Sequence, residues 1–373
     1  MIKKEILEIK KTIKPEDCSI GNICGCYVYG EAREKSTFET AFHSLPEDDV
    51  YKYADLFKKI LSGKIGKNLF NVTIGKDRKE QQRELDELVR SELHDKEKLD
   101  AFFDKVIEAY NEITENYVIL LIHDNYDIPG VGSDGDELDD ASDVVYSHIM
   151  CAICPVTLTE PGLAYKGDGI AFESVNRSWV IEPPVKGFLF PSFNERCSDV
   201  NEALYYSKNA KDLNSGFIEN FFGSTMPVPA GEQKEALCAI VESLYEGGAD
   251  FDTAIAIKEN IDAFREGKEN EERPEEITIG KETLKEIIKN SGDKDISDED
   301  FERAADGLIN DGESFFAENL SDPGTLEIKT EAVTVKVKTD EAGTPEIKKV
   351  DGRNCLVIPV NGEVLVNGVL VKA

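Results

Sequence analysis

Six consecutive apolar residues, Tyr117-Val118-Ile119-Leu120-Leu121-Ile122, constrain this chain more than any other feature. The run is too short for a typical helix and has no polar face, so it predicts a strand covered on both sides. Such a strand belongs in the middle of a sheet. A turn-rich loop, Asp127–Gly135, follows with Pro129, Gly130, Gly132 and Gly135. Val144–Leu158 is a second long β-like stretch, although Val144–Met150 also permits the start of a helix. Ile23–Tyr29, Gly169–Phe172, Ser178–Ile181 and Gly187–Phe190 read as further strands.

Helical spacing surrounds these strands. Ile2, Ile6, Ile9 and Ile13 recur on one face of an N-terminal helix that Pro15 stops. Ser44-Leu45-Pro46-Glu47 opens a second helix, which buries Val50, Tyr53, Phe57 and Ile60 and ends at Ser62-Gly63. Residues 79–112 are expected to continue as helix. So are Val200–Tyr206, Gly216–Phe222, Gly231–Leu244 and Phe251–Phe264. The pattern is α+β: a mixed sheet over 23–190 with a helical layer. The expected organisation is an α+β domain at 1–198, helices at 199–265 packed on it, and a linker at 266–276. The linker sequence, EGKENEERPEE, holds six Glu among eleven residues and no large apolar side chain. Residues 277–373 then form a small domain, with helices at Lys281–Lys289 and Ser297–Leu308 and a β-rich end punctuated by Asn361-Gly362 and Asn367-Gly368.

Charge narrows the possible partners. The chain has 75 acids and 43 bases, a net charge of −32. A field of that sign repels polyanions and anionic membrane surfaces. The distribution is uneven: net −5 over 1–125, −15 over 126–265 and −12 over 266–373. Within residues 52–83, nine bases face three acids. Contact with a phosphate-rich partner is therefore expected through this segment, at Lys58, Lys59, Lys64 and Lys67. The alternative is that these lysines are simply the solvated faces of helices. No stretch approaches the ~18 consecutive apolar residues of a membrane-spanning helix, and charges interrupt the N-terminus where a secretory signal would be apolar. The chain is expected in the cytosol, where its eight cysteines would be mostly buried thiols.

Motifs for chemistry are sparse. Cys24, Cys26, Cys151 and Cys154 could offer four thiolates to zinc. However, positions three apart on a strand point to opposite faces, so Cys151 and Cys154 chelate together only if the chain turns there. His123 and Asp124 follow the apolar strand, with Asp127, Asp134 and Asp136 nearby, a pattern compatible with a metal-dependent hydrolase. A polar turn after a buried strand is the commoner origin of such a pattern. Asp134–Asp140 fails the frame of a calcium loop. Ser62–Asn68 carries Gly-Lys twice but lacks the spacing of a phosphate-binding P-loop, and could at most form a backbone nest for an anion. Trp179 reads as a core residue. No motif implies a cofactor.

Several segments together carry a resemblance. They include Ile23-Cys24-Gly25-Cys26-Tyr27-Val28, Gly66-Lys67-Asn68-Leu69, Ile122-His123-Asp124, Cys154-Pro155-Val156, Gly187-Phe188-Leu189-Phe190-Pro191 and Val350-Asp351-Gly352-Arg353. With these the chain resembles a bacterial family of unknown function, chiefly from Gram-positive anaerobes, over residues 1 to about 371. The resemblance implies a bacterial cytosolic protein and no particular activity. Phe217–Ser224 and the order of the blocks are also similar to the 37-kilodalton nucleoid-associated proteins. The expected function is that of an interaction protein without evident catalysis, its partner an unknown protein or a nucleic acid. The metal-dependent hydrolase is the alternative.

Overall fold

Tyr117–Ile122 is buried throughout, as its composition predicts. This computed structural model describes residues 1–30, 32–75, 78–110, 116–131, 137–138, 144–165, 172–224, 228–269, 277–309, 313–322, 324–330, 333–338, 345–359, 364–366 and 369–371. They fall into two units, Met1–Pro229 and Ala230–Ala373.

The first unit contains α1 (Lys3–Thr12), β1 (Asn22–Tyr29), β2 (Glu34–Ala41), α2 (Glu47–Ile60), β3 (Leu69–Thr73), α3 (Lys79–Arg90), α4 (Lys96–Ala109), β4 (Tyr117–Asp127), β5 (Val145–Leu158), β6 (Trp179–Ile181), β7 (Lys186–Phe190) and β8 (Glu202–Ser207). The sheet runs β2-β1-β4-β5-β7-β8-β3, with β6 paired to the end of β5. Every pairing between these strands is antiparallel. Period-two alternation sorts the side chains into two cores. Cys24, Ile119, Cys151, Phe188 and Tyr205 face one way, onto α3, α4 and the helical turn 215–222. Ile23, Leu120, Ala152, Leu189 and Leu204 face the other way, onto α1 and α2. The sheet is thus sandwiched between two helical layers.

Several local expectations change. Val200–Tyr206, expected as helix, is mostly strand β8, seated between β7 and β3. Its Ala-Leu-Tyr-Tyr core is buried on both faces and so shows no alternation; tertiary pairing overrides the helical propensity of Glu, Ala and Leu. Strands β2 and β3 emerge where none was expected. The 79–112 helix breaks at Ser91–Asp95, where Glu92 and Leu93 adopt φ of 49° and 62° and Asp95 caps α4 through the Lys98 N–H. Residues 111–112 lie outside the described residues. Val145–Met150 is strand. Trp179 is 56% exposed, opposite Leu158 at the rim of the sheet.

In the second unit, α5 (Ala230–Leu244), α6 (Phe251–Glu269), β9 (Thr278–Gly280), α7 (Lys281–Lys289), α8 (Asp298–Ala305) and β10 (Ser314–Phe316) share one core. Leu237, Ile240, Ile261, Leu284, Ile288 and Phe301 meet in it. Ser297 caps α8 through the Asp300 N–H. Three hairpins follow: β11 (Thr325–Lys329) with β12 (Thr334–Lys338), β13 (Glu346–Val350) with β14 (Arg353–Val357), and β15 (Val364–Val366) with β16 (Val369–Val371). Residues 266–269 of the acidic stretch close α6, and 270–276 lie outside the described residues, as do Asn361-Gly362 and Asn367-Gly368.

Gly187 marks where α2 presses on the sheet. A Cβ there would lie 2.6 Å from the Cys151 carbonyl oxygen and 2.7 Å from Ile60 Cγ2. Gly25 lies under the Phe38 ring, which is 37% exposed and free to swing outward. Gly187→Ala should therefore destabilise the first unit by about 1–3 kcal/mol, and Gly25→Ala by less. Urea unfolding of both variants checks this; a neutral Gly187→Ala would contradict the packing.

Candidate functional site

Two places gather the residues singled out by sequence. The first is the end of β4. His123 and Asp124 are adjacent on a strand and so face opposite layers: His123 pairs in register with Ile149 and Asp124 with His148. Asp127 is exposed. Asp134, Asp136, Asp139 and Asp140 lie outside the described residues. Among the described residues no three His, Cys, Asp or Glu side chains converge as metal ligands. The hydrolase constellation is not assembled by the residues described.

Asp124 is wholly buried. Its Oδ1 accepts hydrogen bonds from the Ser19 hydroxyl (2.7 Å) and the Ser19 N–H (3.0 Å), while the Asn125 N–H donates to Ser19 Oγ (2.6 Å). The latch ties the α1–β1 connection to the sheet. Tyr126 donates to Glu8 of α1 at 2.8 Å. An open cleft of about 870 Å³ lies between α1 and this strand end, lined in part by Lys4, Lys11, Asp17 and Asp124. Burial pushes the Asp124 carboxyl up despite the Ser19 hydrogen bonds. His148, fully buried and stacked on Tyr146 at 4.7 Å, is pushed down to about 3 by burial and by His123. The pair is thus a neutral imidazole beside a carboxyl disfavoured as an anion, and holds no activated nucleophile. His148 carried no signal in sequence, because antiparallel register alone brings it to Asp124.

The cysteines do not form a site either. Cys24 and Cys151 share a face but are separated by Leu121 of the intervening strand, about two strand spacings, or ~9.6 Å, apart. Cys154 faces the opposite core. Burial pushes Cys24 and Cys26 up to about 11 and Cys154 to about 12, so these thiols stay protonated in the metal-free chain.

The second place is the C-terminal end of α2. The basic segment does not form one surface: α2 packs on one face of the sheet and α3, with Lys79 and Arg83, on the other. Lys76 lies outside the described residues. Lys58 is half-buried, and Lys59, Lys64 and Lys67 are exposed. Much of the Ser62–Asn68 backbone is already hydrogen-bonded within the turn. The N–H groups of Lys67, Asn68 and Leu69 bond the Lys64 carbonyl, and that of Gly66 bonds Leu69. A further cation joins from α1. Lys10 Nζ donates to Ser62 Oγ at 2.6 Å, and the Ser62 hydroxyl donates to the Lys58 carbonyl at 2.7 Å. Burial, then the charges of Lys59 and Lys58, hold Lys10 below its ordinary value. Two helix C-termini with lysines in their last turns therefore meet. Lysines at these positions also complement the negative ends of the helix dipoles. At Lys10, burial and then the charges of Lys59 and Lys58 work against that benefit.

A family model described as a domain of unknown function (DUF4317) matches residues 1–369. The chain belongs to the DUF4317 family. No curated protein matches it. Within this DUF4317 chain the segment Phe217–Ser224 is largely core: Phe217, Ile218, Phe221 and Phe222 are all buried against α4 and β7.

The Asp124–His148 pair has a pH signature. His148, lowered in the fold, contributes stability that is full above pH 6.5 and lost as pH falls toward about 3. The loss reaches up to about 1.4 kcal/mol per pH unit. Asp124, raised in the fold, opposes this, since its contribution is lost as pH rises through its folded pKa. His148→Leu should flatten the acid limb of stability against pH. Urea titrations at several pH values check this, and an unchanged slope would contradict it.

Proposed function

We propose that this chain is a bacterial cytosolic interaction protein that engages a polyanion, nucleic acid being the best fit, through the lysine edge where α1 and α2 end. The observation that carries this reading is the convergence of Lys10 on Lys58 and Lys59. A chain with net charge −32 holds three cations together there, at a cost in self-repulsion, beside the exposed Lys64 and Lys67. A binding role accounts for that cost; helix-end neutralisation needs only one or two of them. Eight free thiols, four of them buried, support a reducing compartment. Catalysis is not part of the proposal, because His123 and Asp124 face opposite layers.

Binding should be weak and salt-sensitive. Four phosphate contacts imply a slope of log K against log salt near about −3.6 on duplex DNA. Titration with duplex DNA and single-stranded RNA at low salt, repeated on a Lys58/Lys59/Lys64/Lys67→Glu variant, tests it. Loss of binding in the variant is the expected result. No binding at low salt, or binding unchanged in the variant, would remove the nucleic-acid reading and leave a protein partner.

A further inference from the structure

The second unit holds a different kind of opening. Strands β11 and β12 form a sheet of their own, and a two-stranded hairpin is marginal in water by itself. Leu326, Ile328, Val335 and Val337 make its less exposed face, Val337 being buried. Glu327, Lys329, Thr334 and Lys336 stand exposed on the other face. A groove of about 390 Å³ runs beside β11. Every residue of β11 lines it, odd and even alike, and Lys336 of β12 reaches in from its ion pair with Glu327 at 3.8 Å, so the groove follows the edge of the strand. Its other wall is α6, through Phe251, Ala254, Ile255 and Lys258, a single stripe at i, i+3, i+4 and i+7.

The edge carries open backbone groups. Thr330 N–H donates to the Val333 carbonyl at 2.8 Å, which makes these two residues a hydrogen-bonded pair. Alternation along an antiparallel ladder then turns the N–H and C=O of Glu327 and Lys329 away from β12, towards the groove. Among the described residues, no third strand pairs with them. The lining charges are four lysines against Asp322 and Glu327, within a region, 266–373, whose net charge is −12. Lys234 and Lys329 have no ion-pair partner among the described residues.

We propose that this groove takes an extended peptide of a partner protein as a third strand on β11, one whose residues alternate apolar and acidic. The alternation follows from the two faces of the hairpin. Apolar side chains of the added strand would extend the Leu326–Ile328 layer onto Phe251 and Ile255. Acidic side chains would fall on the opposite face beside Lys329, across from which cross-strand pairs of opposite charge are favourable. This surface is separate from the lysine edge and selects a protein partner rather than a nucleic acid.

The probe is a fluorescent, end-blocked octapeptide of alternating Val and Glu, titrated into the full chain and compared with an alternating Val–Lys octapeptide. Saturable binding of Val–Glu, roughly tenfold tighter than Val–Lys, is expected. Glu327→Pro removes an N–H that β12 does not use and also removes an acid, so an electrostatic effect alone would tighten binding. Weakening by roughly tenfold is expected instead. Lys329→Glu, which leaves the backbone intact, should shift preference towards Val–Lys. Hydrogen exchange should show Glu327 and Lys329 amides gaining protection with the Val–Glu peptide. The proposal is overturned by no saturable binding up to about 1 mM, by equal binding of both peptides, or by Lys329→Glu behaving like the wild type. Protection of the Glu327 and Lys329 amides already present in the free chain would also overturn it, in favour of a segment of this chain or a second copy on the edge.

Discussion

The β4–β5 ladder is the interaction on which the first unit depends. Eleven residue pairs run from Tyr117–Pro155 to Asp127–Val145. From Val118 to Ile122 every β4 residue is buried, alternately in one core and the other. Neither face can be solvated, so helices must cover both. That requirement places α3 and α4 on one side and α1 and α2 on the other. Gly187 lets α2 approach closely enough for Ile60 to touch the sheet. The positions of the two helix ends, and so of Lys10, Lys58 and Lys59, are consequences of that packing.

Where the ladder leaves the apolar core it carries polar groups inward. Asp124 and His148 face each other there, buried, and the Ser19 latch satisfies only one oxygen of Asp124. A fold that buries such groups gives up stability. In return the Ser19 contacts hold the connection after α1 against the strand. The cleft beneath α1 thus reads as the consequence of a structural tether, while the cationic surface lies on the far flank of the same helix, where Lys10 meets Ser62.

Much of this was legible in sequence wherever burial differs between faces or is complete over a long run. Tyr117–Ile122 and the isoleucines of α1 gave themselves away by period and composition. Ala203–Tyr206 did not, because a short strand buried on both faces has the composition of a helix turn. Glu34–Ala41 was hidden for the opposite reason: as an edge strand it is mostly exposed and carries no apolar alternation. The relation of His123 to Asp124 follows from strand period alone, and that period argues against their acting together. Lys10 could not be found from its neighbours, since its partner Ser62 is 52 residues away and only the packing of α1 beside α2 unites them.

That union is the central feature of the first unit: one sheet brings two lysine-bearing helix ends close enough for their charges to repel. Titration of the Lys10 side-chain amine by NMR tests it directly. The midpoint should lie below 10.5 in the wild-type chain and move upward when Lys58 and Lys59 are both replaced by Gln. A Lys10 midpoint at or above 10.5, or one unmoved by the double substitution, would contradict it.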